Sequence, residues 1–353
     1  MKDLKKVIKK ALGSLYYARK SKKARSYRQK AMGLISTKEA KQMFWFLPKI
    51  DKPTCNQGQV RCKDITYVHF GRNVFYLKQG RVFMGIAEFL PFSEMSDSEF
   101  NDWNEVTKTL FNEKRIVREI RSASNSSSGS MFSTGWRKSS VKSELYGLTI
   151  NKKKVQRNKE LWEARKAKLE KVEAVLSSSF SNVADVLFTT ARETFQQSGA
   201  PSFSSVSKSD KNTQNSFGSC LTATYGGFSN EPQISSDFHE VGASWWVQVN
   251  KKTGQISKDP SEFVKGGKFT FPNEKLEIDF SKTDGICQVF WMKNKFYHQI
   301  LPSIDTKTDT RLCITVHTSK RLVNAVKKNY AGEFENKSDV YVKDSLYIVD
   351  QLK

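Results

Sequence analysis

An imidazole and a guanidinium stand thirteen positions apart in the last third of the chain. His298 lies within Tyr-His-Gln-Ile-Leu, and Arg311 opens Arg-Leu-Cys-Ile-Thr-Val-His. Carried on adjacent strands, the two side chains project into one cavity, where a guanidinium can bind an anion through charge-assisted hydrogen bonds. The other histidines offer less. His69 sits in a strand-type run and reads as packed or surface, His317 ends the last apolar run and reads as core-adjacent, and His239 stands near a turn and reads as exposed. Cys55 and Cys62 share a polar loop without a second pair, which is not zinc-site spacing. Cys287 and Cys313 lie in apolar runs, where a free buried thiol is ordinary. No Walker, Rossmann or HExxH pattern occurs.

The elements that must position His298 and Arg311 lie in residues 266–319. Short β-type runs alternate there with turn signals, and Asp284-Gly285 marks a turn, so the stretch reads as one sheet of a sandwich or barrel. A cupin-type jelly roll suits it. Residues 65–89 supply further strands, with Lys78-Gln79-Gly80 as a hairpin turn. Ser96-Asp97-Ser98-Glu99 matches a capping box and opens a helix with Phe100, Trp103, Val106 and Leu110 on one face. Residues 151–177 predict one basic helix with Trp162, Leu169, Val172 and Leu176 as its buried stripe. Lys152, Lys153, Lys154, Arg157, Arg165 and Lys166 are then left to solvent, as a charged face or a phosphate-contacting one. A further helix follows Ser181-Asn182. The Ser-rich run 122–130 and residues 202–217 read as loops. Trp245 and Trp246 are adjacent in a strand, so they point to opposite faces.

The chain of 353 residues is long enough for a large core, and 38% hydrophobic with 12% aromatic residues is a globular composition. Its 59 Lys and Arg against 36 Asp and Glu give a net charge of +23. Such a surplus favours a polyanionic partner, nucleic acid first and anionic membrane second, beside the plain reading of solubilising lysines. Residues 1–30 hold twelve Lys and Arg and one acidic residue, Asp3. Arg19, Lys20, Lys22, Lys23 and Arg25 form a patch of nuclear-localisation or nucleic-acid type, on a tail of helical composition that ends near residue 42. Five scattered cysteines fit a reducing compartment. With no signal-type or membrane-spanning run, the expected location is nuclear or cytoplasmic.

An ordered series of segments resembles the fungal Tet-like 2-oxoglutarate/Fe(II) oxygenases, relatives of the Tet and base-J-binding enzymes. It includes Phe89-Leu90-Pro91-Phe92-Ser93-Glu94-Met95-Ser96, Gly135-Trp136-Arg137-Lys138 and Ser179-Phe180-Ser181-Asn182-Val183-Ala184. Ser219-Cys220-Leu221-Thr222 and Gly227-Phe228-Ser229-Asn230-Glu231-Pro232 continue it. The series is densest in Gly266-Gly267-Lys268-Phe269-Thr270-Phe271-Pro272, Ile278-Asp279-Phe280-Ser281, Arg311-Leu312 and Ser319-Lys320-Arg321-Leu322-Val323. It spans about residues 45–325. The resemblance implies an α+β fold: a double-stranded β-helix (cupin-type jelly roll) with packed helices, preceded here by the basic helical tail. The implied organisation is a tail over 1–42, the oxygenase-like domain over 43–325 and a C-terminal extension over 326–353.

In that family Fe(II) is held by two histidines and a carboxylate, leaving positions for 2-oxoglutarate and dioxygen. The substrate is typically a methylated base flipped from its duplex. The resemblance makes His298 the distal iron ligand and Arg311 the residue that grips a 2-oxoglutarate carboxylate. The His-x-Asp half belongs after an Asn-x-Pro turn. After Asn230-Glu231-Pro232 this chain instead has Gln233-Ile234-Ser235. A neutral amide at Gln233 and a hydroxyl at Ser235 remove two of three anchors and the one negative charge. A four-residue slip would bring Asp237 and His239 to those places, in reversed order, as alternative ligands. Three functions follow as expectations. One is a nucleic-acid-binding pseudoenzyme, with DNA the expected partner. Another is an active dioxygenase oxidising a methylated base with a non-standard iron site. The last is a protein-interaction module.

Overall fold

The computed structural model describes residues 42–47, 65–120, 126–281 and 283–351. In chain order come β1 (Gln42–Leu47), β2 (Thr66–Val68), β3 (Arg72–Leu77), β4 (Phe83–Pro91), α1 (Asp97–Glu113), β5 (Ser126–Arg137) and β6 (Glu144–Leu148). Helices α2 (Lys152–Gln156), α3 (Lys159–Glu163) and α4 (Arg165–Ser198) follow. Then come β7 (Cys220–Asn230), β8 (Val241–Asn250), β9 (Lys265–Gly266), β10 (Phe269–Phe271), β11 (Leu276–Ile278) and β12 (Gly285–Met292). The chain closes with β13 (Gln299–Ile300), β14 (Ser303–Ile304), β15 (Asp309–His317), α5 (Lys320–Tyr330), β16 (Tyr341–Lys343) and α6 (Ser345–Asp350). The expected helical tail, with Arg19, Lys20, Lys22, Lys23 and Arg25, lies outside the described residues.

Among the described residues, one sheet runs β1-β3-β4-β12-β8-β15-β7-β5-β6-β16 and a smaller one β13-β10-β11-β2, with β14-β9 as a ribbon. The strands that neighbour each other are mostly distant in sequence, as the crossovers of a double-stranded β-helix require. Residues 266–319 therefore do not form one sheet. Strands β12 and β15 lie in the large sheet, β10, β11 and β13 in the small one. The physical reason is burial on both faces. Every residue of β12 is buried, which only a central strand covered from two sides permits.

Trp245 and Trp246 show the two covered faces. The Trp245 indole points to α4, donating to Ser179 Oγ at 3.1 Å and Gln288 Oε1 at 3.2 Å. Beside it, Phe290 stacks on Phe180 of α4 with centroids 4.2 Å apart. Trp246 points the other way, onto Phe280 at 4.9 Å and Phe269 at 5.0 Å, where the small sheet packs. The alternation expected from adjacency holds, with both faces in the core.

Helix α1 begins as its sequence directs. Ser96 Oγ accepts the Glu99 N–H at 3.2 Å while Glu99 Oε2 accepts the Ser96 N–H at 2.9 Å, and Trp103, Val106 and Leu110 are buried. The single helix expected over 151–177 is instead α2, α3 and the start of α4, and α4 continues to Ser198 through one non-helical residue, Ala184. The Lys154 ammonium reaches back to the carbonyls of Lys114 and Val117 at 2.9 and 2.8 Å. Arg165 is not left to solvent. It is 1% exposed, 3.2 Å from Glu113 and donating to Thr134 at 2.7 Å. A guanidinium buried this deeply must be paired.

Two loop expectations also change. Residues 126–130 belong to β5 and pair with β7 through register shifts. Residues 202–217 are irregular but pinned, because buried Glu173 accepts the hydroxyls of Ser202, Ser204 and Ser216. No helix among the described residues is long and apolar enough to cross a membrane.

Candidate functional site

His298 directly precedes β13 and pairs with Gln233 in an isolated antiparallel bridge. Each N–H donates to the other's carbonyl at 3.0 Å. Side chains of residues so opposed leave the backbone on one side, but the Gln233 side chain is exposed while the imidazole is buried. Ser235 follows, its N–H on the Lys293 carbonyl at 3.0 Å. The His298 ring is buried, and its Nδ1 lies 3.0 Å from the Phe296 carbonyl. A carbonyl only accepts, so Nδ1 carries the proton and Nε2 keeps a lone pair. Burial pushes the ring's pKa down to about 4, so it is neutral at neutral pH. That is the form in which imidazole binds metals.

The carboxylate whose charge acts on the His298 ring, Asp237, is already engaged. Asp237 Oδ2 lies 2.7 Å from the ammonium of Lys293, which is 3% exposed and continues the buried run of β12. Burial alone would raise the Asp237 carboxyl, but Lys293, with a smaller effect of His317, outweighs it and holds the group well below the usual carboxylate range. Burial lowers the Lys293 ammonium, and Asp237 opposes that shift. Two more neutral rings complete the cluster. His239 is 3% exposed, its Nδ1 2.8 Å from the Val241 carbonyl and its Nε2 buried without a partner. Burial, then Lys293, push it down to about 3. His317 has Nε2 2.8 Å from Thr222 Oγ1 and Nδ1 3.9 Å from Asp237. Burial pushes it down to about 4, so at neutral pH that contact is not an ion pair. Opposite His298 the backbone bridge holds Gln233, and Asp237 bridges Ser319 instead. His239 is buried, against the exposure expected from its turn.

Arg311 lies in β15, on the sheet opposite His298 rather than on an adjacent strand. Its guanidinium donates to the carbonyls of Gly266, Val264 (2.6 Å) and Phe280 (3.3 Å). Gly267, at φ +71°, permits this approach, because a Cβ there would fall 2.7 Å from the guanidinium nitrogen. Between the two residues the interior is filled. Ring contacts run from His298 to Trp291 (5.2 Å), Phe269 (5.0 Å), Trp246 (5.0 Å) and Phe280 (4.9 Å), over which Arg311 lies. The cavity beside Arg311, lined among others by Trp246, Phe280 and Cys287, has a volume of about 10 Å³, room for one water.

A family model described as the Tet-like 2OG-Fe(II) oxygenase superfamily matches residues 96–303. The chain belongs to this superfamily. The matched span includes Gln233, Ser235 and His298 and ends before Arg311. Among solved structures, the chain is similar to NgTET1 in complex with 5mC DNA, at 10% identity and a TM-score of 0.42, over 82% of this chain and 91% of that one. It is also similar to a Pseudomonas putida prolyl-4-hydroxylase, at 10% identity and a TM-score of 0.28, over 61% and 87%. No curated protein matches.

The superfamily is dependent on Fe(II) and 2-oxoglutarate, but the residues of this Tet-like chain do not fit either group. The residue opposite His298 is Gln233, whose amide is exposed, Ser235 accepts the Asp237 N–H with its hydroxyl, and the Asp237 carboxylate is neutralised by Lys293. Among the described residues no three His, Cys, Asp or Glu side chains are grouped to hold a metal ion. A five-carbon dicarboxylate has no room beside Arg311, and the three carbonyls already take guanidinium donors. The residue that the motif pattern did not single out is Lys293. Its signal was a lysine directly extending the apolar run Gly-Ile-Cys-Gln-Val-Phe-Trp-Met.

Proposed function

We propose that this Tet-like protein binds nucleic acid, with DNA as the expected form, and works without iron or 2-oxoglutarate. The observation that carries the loss of chemistry is the 2.7 Å Lys293–Asp237 pair behind a His298 whose opposite residue is Gln233. A fixed ammonium beside three neutral imidazoles supplies the positive charge that a metal would bring, and repels a second cation. The nucleic-acid part rests on the net charge of +23, which favours a polyphosphate partner.

The test is an anaerobic Fe(II) titration by calorimetry, with 2-oxoglutarate present, on wild type and on Gln233→His/Ser235→Asp. Wild type is expected to give no binding heat. The double variant gains weak binding, which strengthens when Lys293→Met is added. Tight binding by wild type that disappears in His298→Ala would overturn the reading. The active dioxygenase with a non-standard iron site would then stand, and Asp237 and His239, with its unpartnered Nε2, would be the ligands to change next.

A further inference from the structure

Outside the jelly-roll interior, three cations converge on one backbone position. Val117 bridges Ile150, which brings Arg118 to the end of β6. The Lys343 ammonium, from β16, donates to the Ile150 carbonyl at 3.0 Å. Lys152 stands two residues beyond Ile150, its ammonium 4.7 Å from the Tyr347 ring centroid and 3.3 Å from Gln351 Oε1. Tyr347 is itself fixed by stacking on Tyr341, with centroids 4.3 Å apart. Arg118 is exposed, and Lys152 and Lys343 are half-buried.

These cations repel one another and are poorly compensated. Burial lowers the Lys343 ammonium, and Arg118 and Lys152 lower it further, against one opposing carboxylate, Glu144. Glu144 also hydrogen-bonds Tyr341. Among the described residues none of the three cations makes a salt bridge. Arg115 and Lys153, close in sequence to Arg118 and Lys152, are also exposed. Two of the ammonium groups are held in place before any partner arrives, Lys343 by a carbonyl and Lys152 by a ring, so less side-chain entropy is lost on binding. An anion meeting all three would remove the repulsion.

We infer that Arg118, Lys152 and Lys343 form a phosphate-binding surface for nucleic acid at the β6–β16 edge, separate from the jelly-roll interior. The inference rests on the reading that this protein binds nucleic acid, and it names where. Strand β16 and helix α6, which complete the surface, lie beyond the span matched by the superfamily.

The experiment is fluorescence anisotropy of the full chain with labelled single-stranded and duplex DNA across a salt series. The variants are Arg118→Gln/Lys152→Gln/Lys343→Gln and a control, Lys78→Gln/Lys252→Gln/Lys307→Gln, which removes three exposed lysines in other loops. Each lost phosphate contact flattens the slope of log K against log salt by about 0.7–0.9. The first variant should therefore flatten it by about 2–3 and lose about a hundredfold or more in affinity at 0.1 M salt. The control should change little. Because Lys343 also holds a carbonyl, Lys343→Arg alone tests the same point without loss of charge and should retain binding. An unchanged slope in the first variant, with wild type still binding, overturns this surface and leaves the nucleic-acid reading standing. Equal losses in variant and control also overturn it, since general charge would then explain binding. If wild type binds no nucleic acid at any salt, the functional reading itself falls. Binding to phosphatidylserine vesicles in that case would make a membrane the partner and overturn the surface as assigned.

Discussion

At one end of the jelly-roll interior, Arg311 donates to the main-chain carbonyls of Val264, Gly266 and Phe280. At the other, Lys293 donates to a side chain, Asp237, among neutral imidazoles. Both cations are buried and both are satisfied within the protein, but the partners differ in kind. Carbonyls are placed by the fold of the chain, and no single substitution removes them. A carboxylate is one side chain, and one substitution frees its partner. The Arg311 end is therefore built into the backbone, while the Lys293 end is the place where a binding site can be gained or lost by few changes.

The comparison can be broken at each end. The largest effect is expected from Arg311→Leu, which takes the guanidinium donors from the buried carbonyls of Val264 and Gly266, while Phe280 keeps the Thr283 N–H. That should lower stability by about 2–6 kcal/mol, at roughly 1–3 kcal/mol per unsatisfied group. Urea unfolding measures it, and a loss under about 1 kcal/mol would mean that the carbonyls find water instead. Next comes Lys293→Met, which strands a half-buried Asp237 carboxylate at a cost of about 3 kcal/mol at neutral pH. Adding Asp237→Asn should return most of that loss. Additive single and double effects would show that the pair does not couple. In Lys293→Met the Asp237 pKa rises in the fold, so that variant should gain stability relative to wild type as pH falls.

The smallest effect is on pH dependence. His239, His298 and His317 have folded pKa values of about 3, 4 and 4, below the ordinary 6.5. The unfolded chain then takes up protons before the folded one does. Stability should be full above about pH 6.5 and fall as pH drops towards 4, by at most about 1.4 kcal/mol per pH unit for each ring. His298→Gln should flatten this decline by one ring's share in unfolding curves taken between those limits. An unchanged slope would place the His298 ring in contact with water.

Much of the fold was legible locally. The capping box at Ser96 and Glu99, the hairpin at Lys78-Gln79-Gly80 and the alternation of Trp245 and Trp246 all depend on near neighbours and appear as expected. Strand-to-strand assignment was not. Residues 266–319 alternate like one sheet, yet they divide between two, because alternation encodes a buried face and not which sheet supplies it. Arg165 shows the same limit. Its helical period put it on a basic face, and the pairing with Glu113 and Thr134 from two distant elements turned it inward. At the candidate site, Gln233 and His298 meet across an isolated bridge between segments far apart in the chain. Lys293 was invisible as a site residue because its partner, Asp237, lies on another segment.

The sequence by itself determined the superfamily, the strong positive charge and the absence of His-x-Asp after residue 232, since these are properties of residue order and composition. Only the tertiary structure decided that Lys293 neutralises Asp237, that backbone carbonyls hold Arg311, that aromatic rings fill the space between the site's two ends, and that Arg118, Lys152 and Lys343 meet at Ile150. The physical reason is that burial and charge pairing depend on distances between segments far apart in the chain, and a local pattern carries no such distance.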